Sequence, residues 1–402
     1  MTGVLEPRRS PTRTVPIGRD HVPSMLVVDE AEELGGAQLA LLESLRSLAG
    51  EWRLQAFSGP GALADRLGEL GVAVHSPGAL ATTGGPRRSA GLARQLASLG
   101  TYVRRILSVR SCIRQGAFDL VYINTLRALP YGVIAGRLSG ATVVVHVRDI
   151  LDGRTLPQPV VRQVVRALLR TSHVVLANSR TTARSVPAGA AVVYSPVSPA
   201  YFAPPVPAGE TRRIGIVGRL DPWKGQDLFL RAFAQAGLAA THQAVIIGGP
   251  LFGRADYQEE LRRLATSLGL GDRVEFTGQV DDVIGALDGL DVLVCATRDE
   301  EPFGQVVLQG LARGKCVIAP AAGGPAEQIE DGVSGLLFRP GNVDHLASAL
   351  RRVVDDPGLR TRLGRSARTR AEWFAPERQL GRWRSILCAA AAGQPIPEEG
   401  DQ

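Results

Sequence analysis

Lysine is almost absent from this chain: only Lys224 and Lys315 stand among the 46 basic residues of its 402. Where arginine has taken nearly every basic position, a lysine that persists marks a place that needs a compact ammonium rather than a planar guanidinium. Cysteine is scarce as well. Cys112, Cys295, Cys316 and Cys388 lie far apart, so no pair has the spacing of a zinc ligand set or a redox motif, and free thiols of a reducing cytoplasm are expected. Aromatic residues make up 5%, and the arginines are spread along the chain rather than interleaved with them. The net charge of +7 and the pI near 9.7 therefore argue against a nucleic-acid partner and leave an anionic membrane face or small anionic substrates. No apolar run approaches the roughly 18–20 residues needed to span a bilayer. Residues 1–24, where Arg8, Arg9, Arg13 and Arg19 alternate with prolines, lack the apolar core of a secretory signal. They are expected to form a disordered tail, and the protein to be cytoplasmic, with at most weak peripheral contact at the inner membrane face.

What is present is an α/β rhythm. Short apolar runs at 25–28, 54–56, 72–74, 120–123, 142–147, 174–177 and 191–194 alternate with helical patterns at 39–48 and 92–113. The second half repeats the style with strands at 214–217, 244–247, 274–277, 292–295, 316–319 and 336–338, and helices at 228–236, 258–268, 306–313 and 343–355 between them. Such alternation predicts parallel sheets covered by helices, and a chain this long needs two cores. Pro196, Pro199, Pro204, Pro205 and Pro207 mark 196–211 as a linker. The expected organisation is two doubly wound, Rossmann-like domains, 25–195 and 212–375, facing each other across a cleft. A last helix, 376–391, is expected to return to the first domain, and 392–402 to be a second tail.

Two segments carry chemistry. The strand at 214–217 feeds Gly218-Arg219-Leu220-Asp221-Pro222-Trp223-Lys224-Gly225-Gln226, a glycine turn that offers two cations just before a helix. An anionic group there meets Arg219, Lys224, backbone amides and the positive end of a helix dipole. After the strand ending near Cys295 comes Glu301-Pro302-Phe303-Gly304-Gln305-Val306, which sets a carboxylate beside the first amides of a second helix. Glu301 suits sugar hydroxyls and the amides of Gly304 to Val306 suit phosphate oxygens; Gln309 lies a turn further on. Gly323-Gly324-Pro325-Ala326-Glu327 adds another glycine turn with a carboxylate.

Together with Gly35-Gly36-Ala37-Gln38, His146-Val147-Arg148-Asp149 and Ala177-Asn178-Ser179 in the first half, these segments resemble the retaining glycosyltransferases of family 4 (glycosyl transferases group 1), which have the GT-B fold. The resemblance covers roughly residues 25–390. It implies that Arg219 and Lys224 clamp the diphosphate of a nucleotide-sugar, that Glu301 holds the sugar, and that His146 contacts it from the first domain, these four forming the catalytic set. It places Gly36, Gly218, Phe303, Gly304, Gln305, Val306, Gln309 and Glu327 around the donor. At Gln309 this sequence departs from the family, which usually has a glutamate there for the ribose hydroxyls.

The resemblance further implies hexosyl transfer, N-acetylhexosaminyl transfer included, to an acceptor hydroxyl by front-face substitution, with no metal or other cofactor and with a UDP-sugar favoured over a GDP-sugar. A role in glycan or glycosylated-metabolite biosynthesis goes with it. A nucleotide-sugar 2-epimerase of the same architecture and a non-catalytic nucleotide-sugar-binding partner are the alternatives. Acceptor contacts are expected from the loops 29–36, 80–86, 124–129 and 150–157. The arginine-rich stretch 87–114 reads either as a solvated outer helix or as one that docks on anionic lipid.

Overall fold

The computed structural model describes residues 21–31, 34–76, 92–187, 189–204, 212–250 and 255–398. The tail up to residue 20, the loop 80–86, Arg87 and Arg88, part of the linker (205–211) and residues 399–402 lie outside the described residues, as does the side chain of Arg94. The chain forms two compact units. One runs to Ala177, resumes at Ala183–Val193 and takes in everything from Leu380 onward; the other comprises Asn178–Thr182 and Tyr194–Gln379.

The first unit is built on seven parallel strands: β1 (Ser24–Val28), β2 (Arg53–Phe57), β3 (Ala73–His75), β4 (Leu120–Ile123), β5 (Thr142–Val147), β6 (Val174–Ala177) and β7 (Ala191–Val192). Their order across the sheet is β3-β2-β1-β4-β5-β6-β7. Because helices cover both faces, the central strands are apolar without interruption, as in the fully buried SMLVV of β1. Leu26 and Val28 join one core, with Val121, Ile123, Val143 and Val145. Met25 and Val27 join the other, with Tyr122, Val144 and Leu176. The second core is closed by Trp383, Ile386, Leu387 and Ala390 of the last helix, Pro376–Ala391. The first strand also claims a residue of the expected tail: Ser24 is its first member, tied by its amide and hydroxyl to Asp119 at 2.8 and 2.7 Å.

The second unit carries six parallel strands: β8 (Arg213–Val217), β9 (Gln243–Ile247), β10 (Val274–Gly278), β11 (Val292–Val294), β12 (Cys316–Pro320) and β13 (Leu336–Phe338). They are ordered β10-β9-β8-β11-β12-β13. Both sheets therefore start in the middle, run outward, and restart on the other side of the first strand, the doubly wound order in which a crevice opens at the carboxyl ends of the two central strands. In the second unit those strands are β8 and β11. The described part of the expected linker is not a free connector. Val197, Tyr201 and Phe202 pack on the second unit's core, and Arg313 and Arg368 donate to the carbonyls of Ala203 (2.7 Å) and Phe202 (2.5 Å).

Candidate active site

The loops that leave β8 and β11 meet at this switch point. Asp221 takes up extended backbone and accepts the Trp223 amide at 3.0 Å, which starts a single 3-10 turn, Pro222–Lys224. Gly225 then turns left-handed (φ 72°) and opens the helix Gln226–Gln235. No other residue fits there: a Cβ would lie 2.0 Å from the carbonyl oxygen of Ala296, on the loop after β11. That close approach brings the two loops together. Arg298 fastens them, pairing with Asp227 and donating to the carbonyl of Pro222 at 3.2 Å. Gln226, 1% exposed, donates to the Arg219 carbonyl at 2.8 Å and so fixes the turn that presents that arginine.

The result is a direct ion pair between two of the residues singled out in the sequence. Lys224 Nζ lies 3.0 and 2.9 Å from the two oxygens of Glu301, and 4.3 Å from the centre of the Trp223 ring. Both side chains are largely sheltered, at 23% and 12% exposure, so the pair is worth more than a surface contact, and loss of either partner would strand a charge. Arg219 stands at the rim, its Nε 3.7 Å from Asp221, with about a third of its side chain open. Glu301 is positioned from behind by the glycine turn Gly323-Gly324. The Gly324 amide donates to the Glu301 carbonyl at 2.8 Å, and a Cβ on Gly323 would come within 2.2 Å of that same oxygen. Gln328, buried, donates to the Phe303 carbonyl at 2.6 Å. The segment 301–303 is thereby clamped before Gly304 (φ 85°) caps the helix Gln305–Ala312. A helix start of this kind suits an anion, because its first amides have no acceptor within the helix. Gln309 is 8% exposed on the same helix, and its amide group makes no hydrogen bond among the described residues. Cys295, half-buried near the pair, has its thiol pushed up to about 11 by desolvation and then by Glu301, so it stays protonated.

The structure brings Gly218, Arg219, Lys224, Glu301, Phe303, Gly304, Gln305, Val306 and Gln309 to these adjoining loops and the helix that follows. Three other sequence-selected residues lie on other elements. Glu327 is already engaged: its carboxylate accepts from the amides of Arg180 (2.9 Å) and Thr181 (2.7 Å), the Thr181 hydroxyl (2.7 Å) and the Tyr194 hydroxyl (3.1 Å). It anchors the 178–182 segment rather than facing the turn of Lys224. Gly36, in the first unit, opens the helix Gly36–Arg46 after β1.

His146, expected to contact the sugar from the first domain, lies within β5, and its side chain is enclosed in a core. Two residues on from Val144 in β5, it shares that residue's face and the core that Trp383 closes. It is 2% exposed, and its Nδ1 is 2.6 Å from the Tyr122 hydroxyl, which accepts from Trp383 Nε1 at 3.3 Å. Burial, reinforced by the nearby Arg148 charge, holds its pKa well below the usual histidine value of 6.5. The unfolded chain therefore binds a proton between pH 6.5 and this lower value that the folded chain refuses. Stability contributed by neutral His146 is complete above pH 6.5 and falls as pH drops, by about 1.4 kcal/mol per unit. In urea titrations from pH 7 to 5, His146→Gln should flatten that slope; an unchanged slope would show that His146 is not the group responsible.

What leaves the edge of β5 is Arg148, and with it comes a network that sequence reading overlooked. Arg148 Nε donates to Asn124 Oδ1 at 2.8 Å, and Asn124 Nδ2 donates to Asp29 at 2.7 Å; all three are buried at the carboxyl ends of β5, β4 and β1. Burial raises the Asp29 pKa against the bonds it receives from Asn124, Ala31 and Gln38. The available signal was positional: each is a polar residue one or two places after an apolar run. Lys315 lies at the opposite, amino edge of the second sheet, where it donates to the carbonyls of Asp288 and Leu290 at 2.8 and 3.1 Å.

Comparison with known proteins agrees with this fold. Residues 198–370 match the family model described as glycosyl transferases group 1, and residues 35–197 match the glycosyl transferase 4-like domain. The D-inositol 3-phosphate glycosyltransferase of Kribbella flavida is 30% identical over 317 residues, covering 70% of this chain and 73% of that one. The enzyme of the same name from Acidothermus cellulolyticus is 30% identical, over 69% and 68% respectively. Among solved structures, Anabaena HepE in complex with UDP and glucose superimposes with a TM-score of 0.76 at 26% identity, covering 91% of this chain and 99% of its own. The two Rossmann-like domains are those of the GT-B class of glycosyltransferases. Within that class the chain belongs to family 4, the glycosyl transferases group 1.

Proposed function

We propose that the protein moves a hexosyl unit from a UDP-sugar to an acceptor hydroxyl with retention of anomeric configuration and without a metal ion. The observation that carries this reading is the Lys224–Glu301 pair at the carboxyl ends of β8 and β11, with a helix opening three residues after Glu301. A sugar diphosphate needs a hydroxyl acceptor and a phosphate-seeking cation a few ångströms apart, and the pair supplies both. Glu301 takes the sugar hydroxyls; Lys224, Arg219 and the amides from Gly304 to Val306 take the diphosphate. As the bond between the anomeric carbon and the phosphate oxygen breaks, its electron pair moves onto the leaving UDP, and fixed cations stabilise that charge without a divalent ion. The acceptor oxygen bonds to the same face of the carbon, and its proton passes to a phosphate oxygen of the leaving group. A UDP-linked donor is supported by the UDP and UDP-glucose complexes of Anabaena HepE. The names of the Kribbella and Acidothermus relatives make a cyclitol phosphate the first acceptor to try.

Thermal shift and UDP release across a panel of nucleotide-sugars test the reading, with EDTA present in one arm. One donor should stabilise the protein selectively and release UDP only when acceptor is added. Turnover of the donor alone into a new sugar would establish the epimerase instead, and stabilisation without release under any condition the non-catalytic partner. Gln309 supplies a neutral amide where a carboxylate would accept both ribose hydroxyls. Gln309→Glu should therefore tighten UDP by roughly fivefold, about 1 kcal/mol, in isothermal titration. Equal or weaker binding would place the ribose elsewhere.

A further inference from the structure

Three neighbouring helices of the first unit, Leu92–Gly116, Leu129–Ser139 and Pro159–Thr171, are 25, 11 and 13 residues long and contain no Asp or Glu, in a chain that has 39. They lie side by side on one face of the sheet and share one core, to which they contribute Val109, Ile113, Tyr131, Val133, Val165 and Leu169. Their outer surface is unusual in a second respect. Of the large apolar residues exposed among the described residues, most belong to these helices: Tyr102, Val103 and Leu107 (41, 47 and 54%) on the first, and Leu138 (57%) on the second. The third adds Val160, Val161 and Val164 at 74, 40 and 48%. Leu107 follows Val103 by four residues and Val164 follows Val160 by four, so on the first and third helices the apolar side chains form a stripe and not a scatter.

Every charged residue on the three helices is an arginine. Arg104, Arg114, Arg137 and Arg170 are exposed, and Arg162 and Arg166 half-buried. A layer that presents apolar stripes between arginines, with no acid in any of its helices, is matched by a surface that is negative and has apolar material beneath it. We infer that this three-helix face of the first unit docks on the surface of an anionic lipid bilayer, the valine and leucine stripes entering the headgroup region while the arginines pair with lipid phosphates. The arginine stems suit such a boundary, since their methylenes lie on apolar ground while the guanidinium stays among polar groups. No helix among the described residues is long and apolar enough to cross the bilayer, so the contact is one of lying on the surface. The inference is independent of the donor site: it concerns the opposite kind of surface and is read out without nucleotide.

Flotation of the full-length chain with vesicles tests it. Vesicles of phosphatidylglycerol and phosphatidylcholine should carry the protein upward, and pure phosphatidylcholine should not. Raising salt should weaken the binding without abolishing it, because the apolar stripe remains. Val161→Asp with Val164→Asp, and separately Leu107→Asp, should raise the lipid concentration for half-binding at least tenfold. These positions are exposed, so each variant should keep its melting temperature and its donor-induced thermal shift. Absence of flotation on anionic vesicles at low salt would overturn the inference. So would variants that float as well as the parent, or a parent that self-associates in sedimentation through this face and loses that association in the variants.

Discussion

Lys224→Ala should lower kcat/KM for UDP release by about three orders of magnitude while leaving the fold intact. Removing one preorganised donor from a developing oxyanion costs on the order of 10²–10³ in rate. The lysine has a second task here, because its ammonium is within 3.0 Å of both Glu301 oxygens. Without it, a carboxylate at 12% exposure faces the donor with no counter-charge, and repels the diphosphate it should help to seat. The two effects reinforce each other at the transition state, where charge on the diphosphate is greatest. Lys224→Arg should recover little: a guanidinium is longer and broader than the ammonium and spends its planar fork on the Glu301 carboxylate, so it does not present the same compact charge to the diphosphate. Steady-state UDP release with a saturating acceptor is the measurement. A loss of less than tenfold, in a variant that is folded at the assay temperature, would mean that the diphosphate does not lie on Lys224.

The strands were legible because a sheet buried on both faces turns each strand into a short apolar run, and four runs, β4, β5, β6 and β13, were placed to the residue. The same property hid His146. In Thr142–Val147 nearly every residue is apolar, so the alternation that tells one face from the other carries no signal, and the polar residue that ends inside the core looks like the one that leaves the edge. Helices with little apolar content were missed for a related reason. Pro357–Ala371 carries Arg360, Arg362, Arg365, Arg368 and Arg370, and its buried stripe is Leu359, Leu363, Ala367 and Ala371, too small to stand out in the sequence. It packs close because Gly364 admits the carbonyl of Gly314, a contact 50 residues away. Of the site, the loops were readable because their residues are local to two strand ends; the clamp on Glu301 was half-readable as a glycine turn. The engagement of Glu327 was not, since its partner Arg180 lies 147 positions earlier.

Trp383→Ala should destabilise the first unit by roughly 3–5 kcal/mol, the range for removing a large buried aromatic. Trp383 is 1% exposed and stands edge-on to Tyr122, ring centres 5.7 Å apart and planes at 89°. Deleting it opens a cavity among Ile386, Leu387, Val144 and Leu176, and removes the donor to the Tyr122 hydroxyl. The loss is large because the helix that carries it comes from the far end of the chain and closes a core begun at Met25. Against a total of about 5–15 kcal/mol, one side chain would consume about a fifth or more of the stability. For a unit of this size that corresponds to a fall of on the order of 10 °C in melting temperature. Calorimetry should show the lower transition moving and any transition of the second unit staying. Trp383→Phe, which refills most of the volume but cannot donate to Tyr122, should recover more than half of the loss. A shift below about 2 °C for alanine would mean that the final helix does not complete this core. In that case the neutral state of His146, which depends on the same enclosure through Tyr122, would also fail, and the acid sensitivity of the protein would have to arise elsewhere.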